Sequence, residues 1–329
     1  MSIKLKLSMF GSVAAIIGIT TLAFLFFIEF FTDLTFYYVV VFAVIFNLFQ
    51  WLIAPYIIQA AYKCVEADER EYWNLHRILD KICEDSDLKK KPKLMIAEVQ
   101  LPNAFAYGNF LTGSRVAVTR GLLNTLEIEE IEAVMAHEIG HIKHRDMSVM
   151  MFVSLLPAIF YWIGRVMMYS LWLSSWGARD RREGSAILVA IGFFSLLIYF
   201  FLNLFVLAFS RLREYYADEH AAFTIHDGSR KLSEALAKIN IYMTKMIARN
   251  PRAVLVPSQL AFRPLLITDP ERATSEAKQL QILTGYPDYE LVEMLRRRKL
   301  KLSDKIMEIF STHPNITKRL RRLEQLKLR

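Results

Sequence analysis

The chain of 329 residues is 54% apolar, carries a formal net charge of +8 and contains two cysteines. That apolar fraction, together with a positive mean hydropathy, excludes an ordinary soluble protein. The two cysteines, Cys64 and Cys83, lie outside the apolar stretches, which excludes a disulfide framework and points to a reducing compartment. The basic balance comes with no RNA- or DNA-binding pattern, so nucleic acid is not an expected partner, whereas a lipid bilayer with a basic cytoplasmic face is.

Residues 9–62 hold no Lys or Arg. Two apolar runs within them, 9–31 and 36–58, are each long enough to cross a hydrocarbon core of about 30 Å at about 1.5 Å per residue. A cleaved signal peptide is the alternative for the first run, but its apolar core would be shorter, and no small-residue cleavage site precedes the next run. Lys4 and Lys6 before this hairpin, Lys63 after it and the acidic Glu29 and Asp33 between its arms place both ends in the cytoplasm. Residues 63–146 then read as the first half of a catalytic domain. A helix is expected over Glu66–Cys83, short strands over Lys93–Gln100 and Arg115–Thr119, and a helix of good helix formers over Glu127–His144. A second apolar pair follows at 147–173 and 186–210. Its first member is interrupted by Pro157 and Arg165, and the loop between the two carries Arg179, Arg181 and Arg182. Residues 211–329 are polar again, mostly helical, and form the second half of the catalytic domain.

The chemistry is concentrated at His137-Glu138-Ile139-Gly140-His141. Residues four apart on a helix share a face, so both imidazoles can hold one ion while Glu138, about 100° round, reaches a water on it. This is the spacing of zinc hydrolases. A catalytic zinc takes three protein ligands, so a third must be found. The pattern HExxHxxGxxH fails, because His144 stands where Gly is required and Met147 where the third His would be. A glutamate is the other choice. None lies between Glu138 and Glu183, Glu183 falls in the loop on the far side of the second apolar pair, and the next is Glu214 in Arg213-Glu214-Tyr215-Tyr216-Ala217-Asp218. If the fourth apolar run continues as one helix, Asp218 lies one turn beyond Glu214 and can orient a ligand imidazole by a hydrogen bond. His144 reads as a surface or capping residue at a helix end, and His76, His220 and His226 read as structural.

With these residues the sequence resembles the HtpX family of membrane-bound zinc metalloproteases and, more distantly, the CAAX prenyl proteases. The resemblance covers most of the chain. It rests on Pro102-Asn103-Ala104-Phe105-Ala106, on His137 to His141 followed by His144-Arg145-Asp146, on Glu214 to Asp218, and on His313-Pro314 with Arg319 six residues after the histidine. It implies that Asn103, Ala104 and Phe105 form an edge strand that pairs with the substrate backbone, and that His313 and Arg319 lie near the active site. Taken alone, Asn103–Phe105 would be a plain turn and strand, and His313-Pro314 would simply precede a helix. The basic run Arg296–Lys301 reads as a solvated or membrane-facing patch.

The expected architecture is an α-helical integral membrane protein with a mainly α, α+β zincin-like (gluzincin) catalytic domain and a small edge β-sheet. Its ligands His137, His141 and Glu214 hold one Zn2+ per chain, Glu138 is the general base, His313 is a candidate donor to the oxyanion, and Asp218 and Arg319 stand behind the ligands. The expected activity is endoproteolysis of membrane or misfolded polypeptides at the plasma membrane, with the catalytic domain in the cytoplasm. A CAAX-type protease is a competing reading, opposed by the count of only four spans. A transporter or scaffold with an incidental zinc site is another, opposed by apolar runs that hold almost no paired ionisable residues.

Overall fold

A computed structural model describes residues 34–174, 182–249 and 287–327. The expected span at 9–31, the loop residues 175–181 and residues 253–286 lie outside the described residues. The described elements are, in chain order, α1 (Leu34–Ala61), β1 (Cys64–Glu66), α2 (Trp73–Asp85), β2 (Lys93–Ala97), β3 (Ala104–Asn109), β4 (Gly113–Thr119), α3 (Arg120–Thr125), α4 (Ile128–Lys143), α5 (Asp146–Ser174), α6 (Arg182–Thr224), α7 (Gly228–Arg249), α8 (Asp288–Arg297), α9 (Leu302–Ile309) and α10 (Ile316–Lys327). The chain divides into two compact units, one of Ala54–Met147 with Arg211–Arg329 and the other of Ser2–Ile53 with Ser148–Ser210.

The second unit is helical and apolar. Val153, Ile159, Phe160, Ile163 and Met167 of α5 are buried with Leu202, Val206 and Phe209 of α6 and Ala43 of α1. Gly164 permits this closeness, since a Cβ there would come within 2.7 Å of Leu196. Trp162 packs edge-on against Phe42 and Phe46. Among the described residues three helices are long and apolar enough to cross a membrane: Val40–Ala61, Asp146–Tyr169 and Ile187–Thr224. Pro157 is accommodated inside the unbroken α5, and Arg165 points outward from it. Ile187–Thr224, at 38 residues, is longer than a bilayer requires. Its part beyond Ser210 belongs to the other unit, where the charged residues begin.

That other unit is built on a four-stranded sheet of order β1-β2-β4-β3 among the described residues. The inner strands β2 and β4 run parallel and are apolar on both faces, as strands covered on both sides must be. Period-two alternation sorts their side chains. Leu94, Ile96, Val116, Val118, Ala104 and Ala106 face the helices, while Met95, Ala97, Ala117, Phe105 and Tyr107 pack with Tyr62 and Cys64 on the other face. Strand β3 pairs antiparallel with β4 only, so it closes one edge of the sheet. The strand extends to Asn109, beyond the three residues expected from the sequence.

The helix expected over Glu66–Cys83 is corrected. Residues 64–66 are strand β1 paired with β2, and the Asp68 carboxylate accepts the backbone N–H groups of Arg70 and Glu71, so a turn precedes the helix that starts at Trp73. Helix α4 agrees closely with the sequence reading. Glu127 and Glu130 form a reciprocal capping box at its start, and His144 is its C-cap. It lies almost wholly buried and packs on α7, which in turn supports α8 and α10.

Candidate metal centre

Helix α4 projects His137, Glu138 and His141 from its buried face, and their ligating atoms lie within 4.8 Å of one another. A second carboxylate arrives because α6 passes α4 at Gly140. A Cβ at that position would stand 3.1 Å from the Ala217 Cα and from the His220 Cβ, so glycine lets the two helices approach more closely than a larger residue would without a shift. Glu214 thereby reaches both imidazoles: its Oε2 stands 3.7 Å from His137 Nε2 and its Oε1 stands 3.5 Å from His141 Nε2. The two Nε2 atoms are 3.2 Å apart, with their rings perpendicular.

The far side of each ring is held by an acid. His141 Nδ1 donates to Asp146 Oδ2 at 2.6 Å, and His137 Nδ1 stands 3.1 Å from Asp218 Oδ1. The Asp146 carboxylate at His141 Nδ1 keeps the proton there and turns that ring's Nε2 lone pair toward the cluster, whereas His137 Nδ1 faces Asp218 at ion-pair distance. The two Nε2 atoms stand 3.2 Å apart with one oxygen of the Glu214 carboxylate 3.5 or 3.7 Å from each, an arrangement that a proton or a metal ion would stabilise. The field around His137 agrees. Burial alone would lower its pKa, but the Asp218 and Glu214 carboxylates, which accept from the protonated ring, outweigh that and raise it to about 9. The donor set and its spacing therefore fit a metal ion.

Arg319, only 1% exposed, anchors the acids. Its Nη2 and Nε donate to Asp218 Oδ1 and Oδ2 at 2.6 and 2.9 Å, and its Nη1 is 3.4 Å from Glu214 Oε2. Helix α10 delivers it, capped by Asn315, whose Oδ1 accepts the Thr317 N–H. The preceding loop carries His313, whose Nδ1 stands 3.0 Å from Glu214 Oε2. Both of its ring nitrogens are buried without a hydrogen bond of good geometry among the described residues, Nδ1 facing Glu214 and Nε2 facing no partner. Glu138 is held from the sheet: Ala106 N–H donates to its Oε2 at 2.8 Å, and burial pushes its carboxyl above the usual range.

The structure thus brings His137, Glu138, His141, Glu214, Asp218, His313 and Arg319 together, and sets Glu138 against β3. The residues of the expected substrate strand divide. Asn103 spends its backbone on Thr119, donating to Oγ1 and accepting from N–H, and the Phe105 ring packs on Tyr62. By alternation the outward backbone groups belong to Ala104 and Ala106. Two contributors escaped the sequence reading. Asp146 follows Arg145, whose positive φ of 56° turns the chain back on leaving α4; its signal was an acid five residues after His141. The Ala106 N–H is a backbone group and leaves no mark in residue type. His144 packs its ring against Tyr216 and His220 instead of facing solvent freely.

The sequence profile of Peptidase family M48 matches residues 69–327. A "Protease HtpX homolog" of Thermoplasma acidophilum is 35% identical over 288 residues, 87% of this chain and 84% of that protein. A protein of the same description from Aeropyrum pernix is 38% identical, over 85% of this chain and 82% of its own length. Another, from Archaeoglobus fulgidus, is 37% identical over 90% of this chain and 78% of that protein. The crystal structure of S. mikatae Ste24p aligns with 98% of this chain and 67% of its own at 18% identity and a TM-score of 0.48. Matches of this extent and identity establish that the chain belongs to peptidase family M48, and with its long apolar helices it is a membrane-bound metalloprotease.

Proposed function

We propose that the chain is a zinc-dependent endopeptidase in which His137, His141 and Glu214 hold one zinc ion and Glu138 is the general base. The observation that carries this is the convergence of the two Nε2 atoms and the Glu214 carboxylate at 3.2, 3.5 and 3.7 Å. Ligands about 2.0–2.1 Å from a tetrahedral zinc stand about 3.3 Å from one another, which matches that spacing. Imidazole and carboxylate donors also suit zinc. Zinc bound there supplies Lewis acidity, lowering the pKa of a water and polarising a peptide carbonyl. Glu138 takes the proton of the attacking water, and its raised pKa suits it to pass that proton on to the leaving amine. His313 turns Nδ1 toward Glu214, leaving the buried Nε2 as the nitrogen that can donate to the developing oxyanion.

Polypeptide substrate adds to the edge of β3 through the outward backbone of Ala104 and the carbonyl of Ala106, whose N–H is held by Glu138, a mode that tolerates many side chains. Ala106 N–H couples that edge directly to Glu138. Breadth of this kind suits a quality-control protease acting on membrane or misfolded proteins. The basic residues flanking the spans, Lys63 and Arg211 among them, favour a cytoplasmic catalytic domain at the cell membrane. Chelation should stop casein cleavage and zinc should restore it. A Glu138→Gln variant should retain substrate without cutting it, and capture of uncut membrane polypeptides by that variant identifies the natural targets. Cleavage undiminished after exhaustive chelation would refute the proposal.

A further inference from the structure

Helix α9 is set into the protein with its polarity inverted. At about 100° per residue, Leu302, Ile306, Ile309 and the following Phe310 fall on one arc of the helix. All four face outward, at 73%, 49%, 45% and 58% exposure. The acids lie on the inner side. Glu308 is buried, accepting from Lys318 Nζ at 2.5 Å and from the Asn315 N–H at 3.4 Å. Asp304 accepts from the Lys301 N–H at 2.8 Å and from Arg298 Nη2 at 3.2 Å. These polar anchors fix the rotation of α9, so the outward apolar face is built in. Single exposed apolar residues are ordinary, but four adjacent large ones mark a surface that meets something.

Two observations identify what it meets. The apolar face is accompanied by exposed lysines on α9 and just before it, Lys299, Lys301 and Lys305, the pattern of a helix lying in an anionic lipid interface. The C-terminal end of α9 is also tied to the point where the apolar run of α6 stops. Arg211, the first charged residue after Glu183, donates from Nη1 to the carbonyls of Ile309 and Ser311 at 3.1 and 2.8 Å. The residue that ends the hydrocarbon-compatible stretch is therefore hydrogen-bonded to the end of α9.

We propose that α9 is an interfacial helix: Leu302, Ile306, Ile309 and Phe310 enter the headgroup–acyl boundary of the membrane, and Lys299, Lys301 and Lys305 bind anionic headgroups. The proposal rests on the membrane-bound reading of the chain. Its functional consequence is local. The loop that follows, Ser311–Asn315, carries His313 beside Glu214, so lipid contact at α9 bears directly on one wall of the active site.

The test uses full-length protein carrying one environment-sensitive fluorophore at Ile306→Cys, Phe193→Cys or Glu84→Cys. Native Cys64 and Cys83 are buried, which pushes both thiols up to about 11, so the introduced exposed thiol labels selectively at neutral pH. The proteins are placed in vesicles of phosphatidylcholine and phosphatidylglycerol, with or without brominated acyl chains. The label at Ile306 should lose most of its emission to brominated lipid, as should the label at Phe193 in the apolar run, while that at Glu84 should not. Quenching at Ile306 should fall in vesicles without phosphatidylglycerol, and in the Lys299→Gln, Lys301→Gln, Lys305→Gln triple variant. Quenching at Phe193 but not at Ile306 overturns the proposal and leaves the membrane reading standing. Loss of quenching at both sites overturns the membrane reading itself. An Ile306 label shielded from aqueous iodide yet untouched by brominated lipid means that protein, from residues 250–286 or a second copy, covers the face, and this also overturns the proposal.

Discussion

Replacing Arg319 with leucine removes the guanidinium that pairs with two buried acids of the cluster, Asp218 and Glu214. Asp218 is fully buried and Glu214 is 4% exposed, and the guanidinium makes a bidentate pair with the first and lies 3.4 Å from the second. Breaking a buried ion pair from one side costs about 3–5 kcal/mol, because a charge is left without compensation. At about 2–4 °C per kcal/mol for a domain of this size, the metal-free protein should lose roughly 6–20 °C in its unfolding midpoint. The metal-loaded protein should lose less, since a divalent cation stands beside the same carboxylates. Thermal unfolding of wild type and Arg319→Leu, each with and without zinc, measures both quantities. Adding Asp218→Asn to Arg319→Leu should recover part of the loss, because the stranded charge is then gone. A metal-free Arg319→Leu protein within 1 kcal/mol of wild type would refute the reasoning.

Asp146→Asn should weaken zinc affinity or activity by about 10 to 100-fold while leaving the ligands in place, since it removes the carboxylate that orients His141; competition against a zinc-binding dye measures it. Gly140→Val should lower zinc occupancy and activity together, because Gly140 is buried at the helix crossing and the added carbons meet Ala217 and His220 and push α6 with Glu214 away. A Gly140→Val protein with full zinc occupancy and normal cleavage would contradict that role for the helix crossing.

The parts of the site carried by short-range periodicity were readable before any coordinates. His137 and His141 lie one turn apart on a helix whose capping box, Glu127 with Glu130, is itself local. Glu214 and Asp218 lie one turn apart on another. From the residues alone Glu214 was reached by elimination and an argument about how the chain crosses the membrane, and the stretch from Glu214 to Asp218 added the family resemblance to it. Asp146 depended on a left-handed turn at Arg145, a residue type that does not announce positive φ. The contact from Ala106 to Glu138 is made by backbone, which is the same in every residue. The start of α2 was misplaced because helix periodicity over residues 66–72 competes with a side-chain turn at Asp68, and the turn prevailed. Helix α9 marks the same limit in another way. Spacing at 302, 306 and 309 reveals an apolar stripe, but whether that stripe faces the protein or the surroundings is decided by where Glu308 and Asp304 find their partners.

The central claim is that two histidines of α4 and one glutamate of α6 hold a single catalytic zinc, with Glu138 acting on the water. Zinc content and casein cleavage measured on the same preparations of wild type, Glu138→Gln and Glu214→Ala test it most directly. Wild type and Glu138→Gln should each hold one zinc per chain, with cleavage lost by about 100-fold or more in Glu138→Gln, while Glu214→Ala should lose both metal and activity. Stoichiometric zinc in Glu214→Ala, or Glu138→Gln cleaving at more than about a tenth of the wild-type rate, would contradict the account.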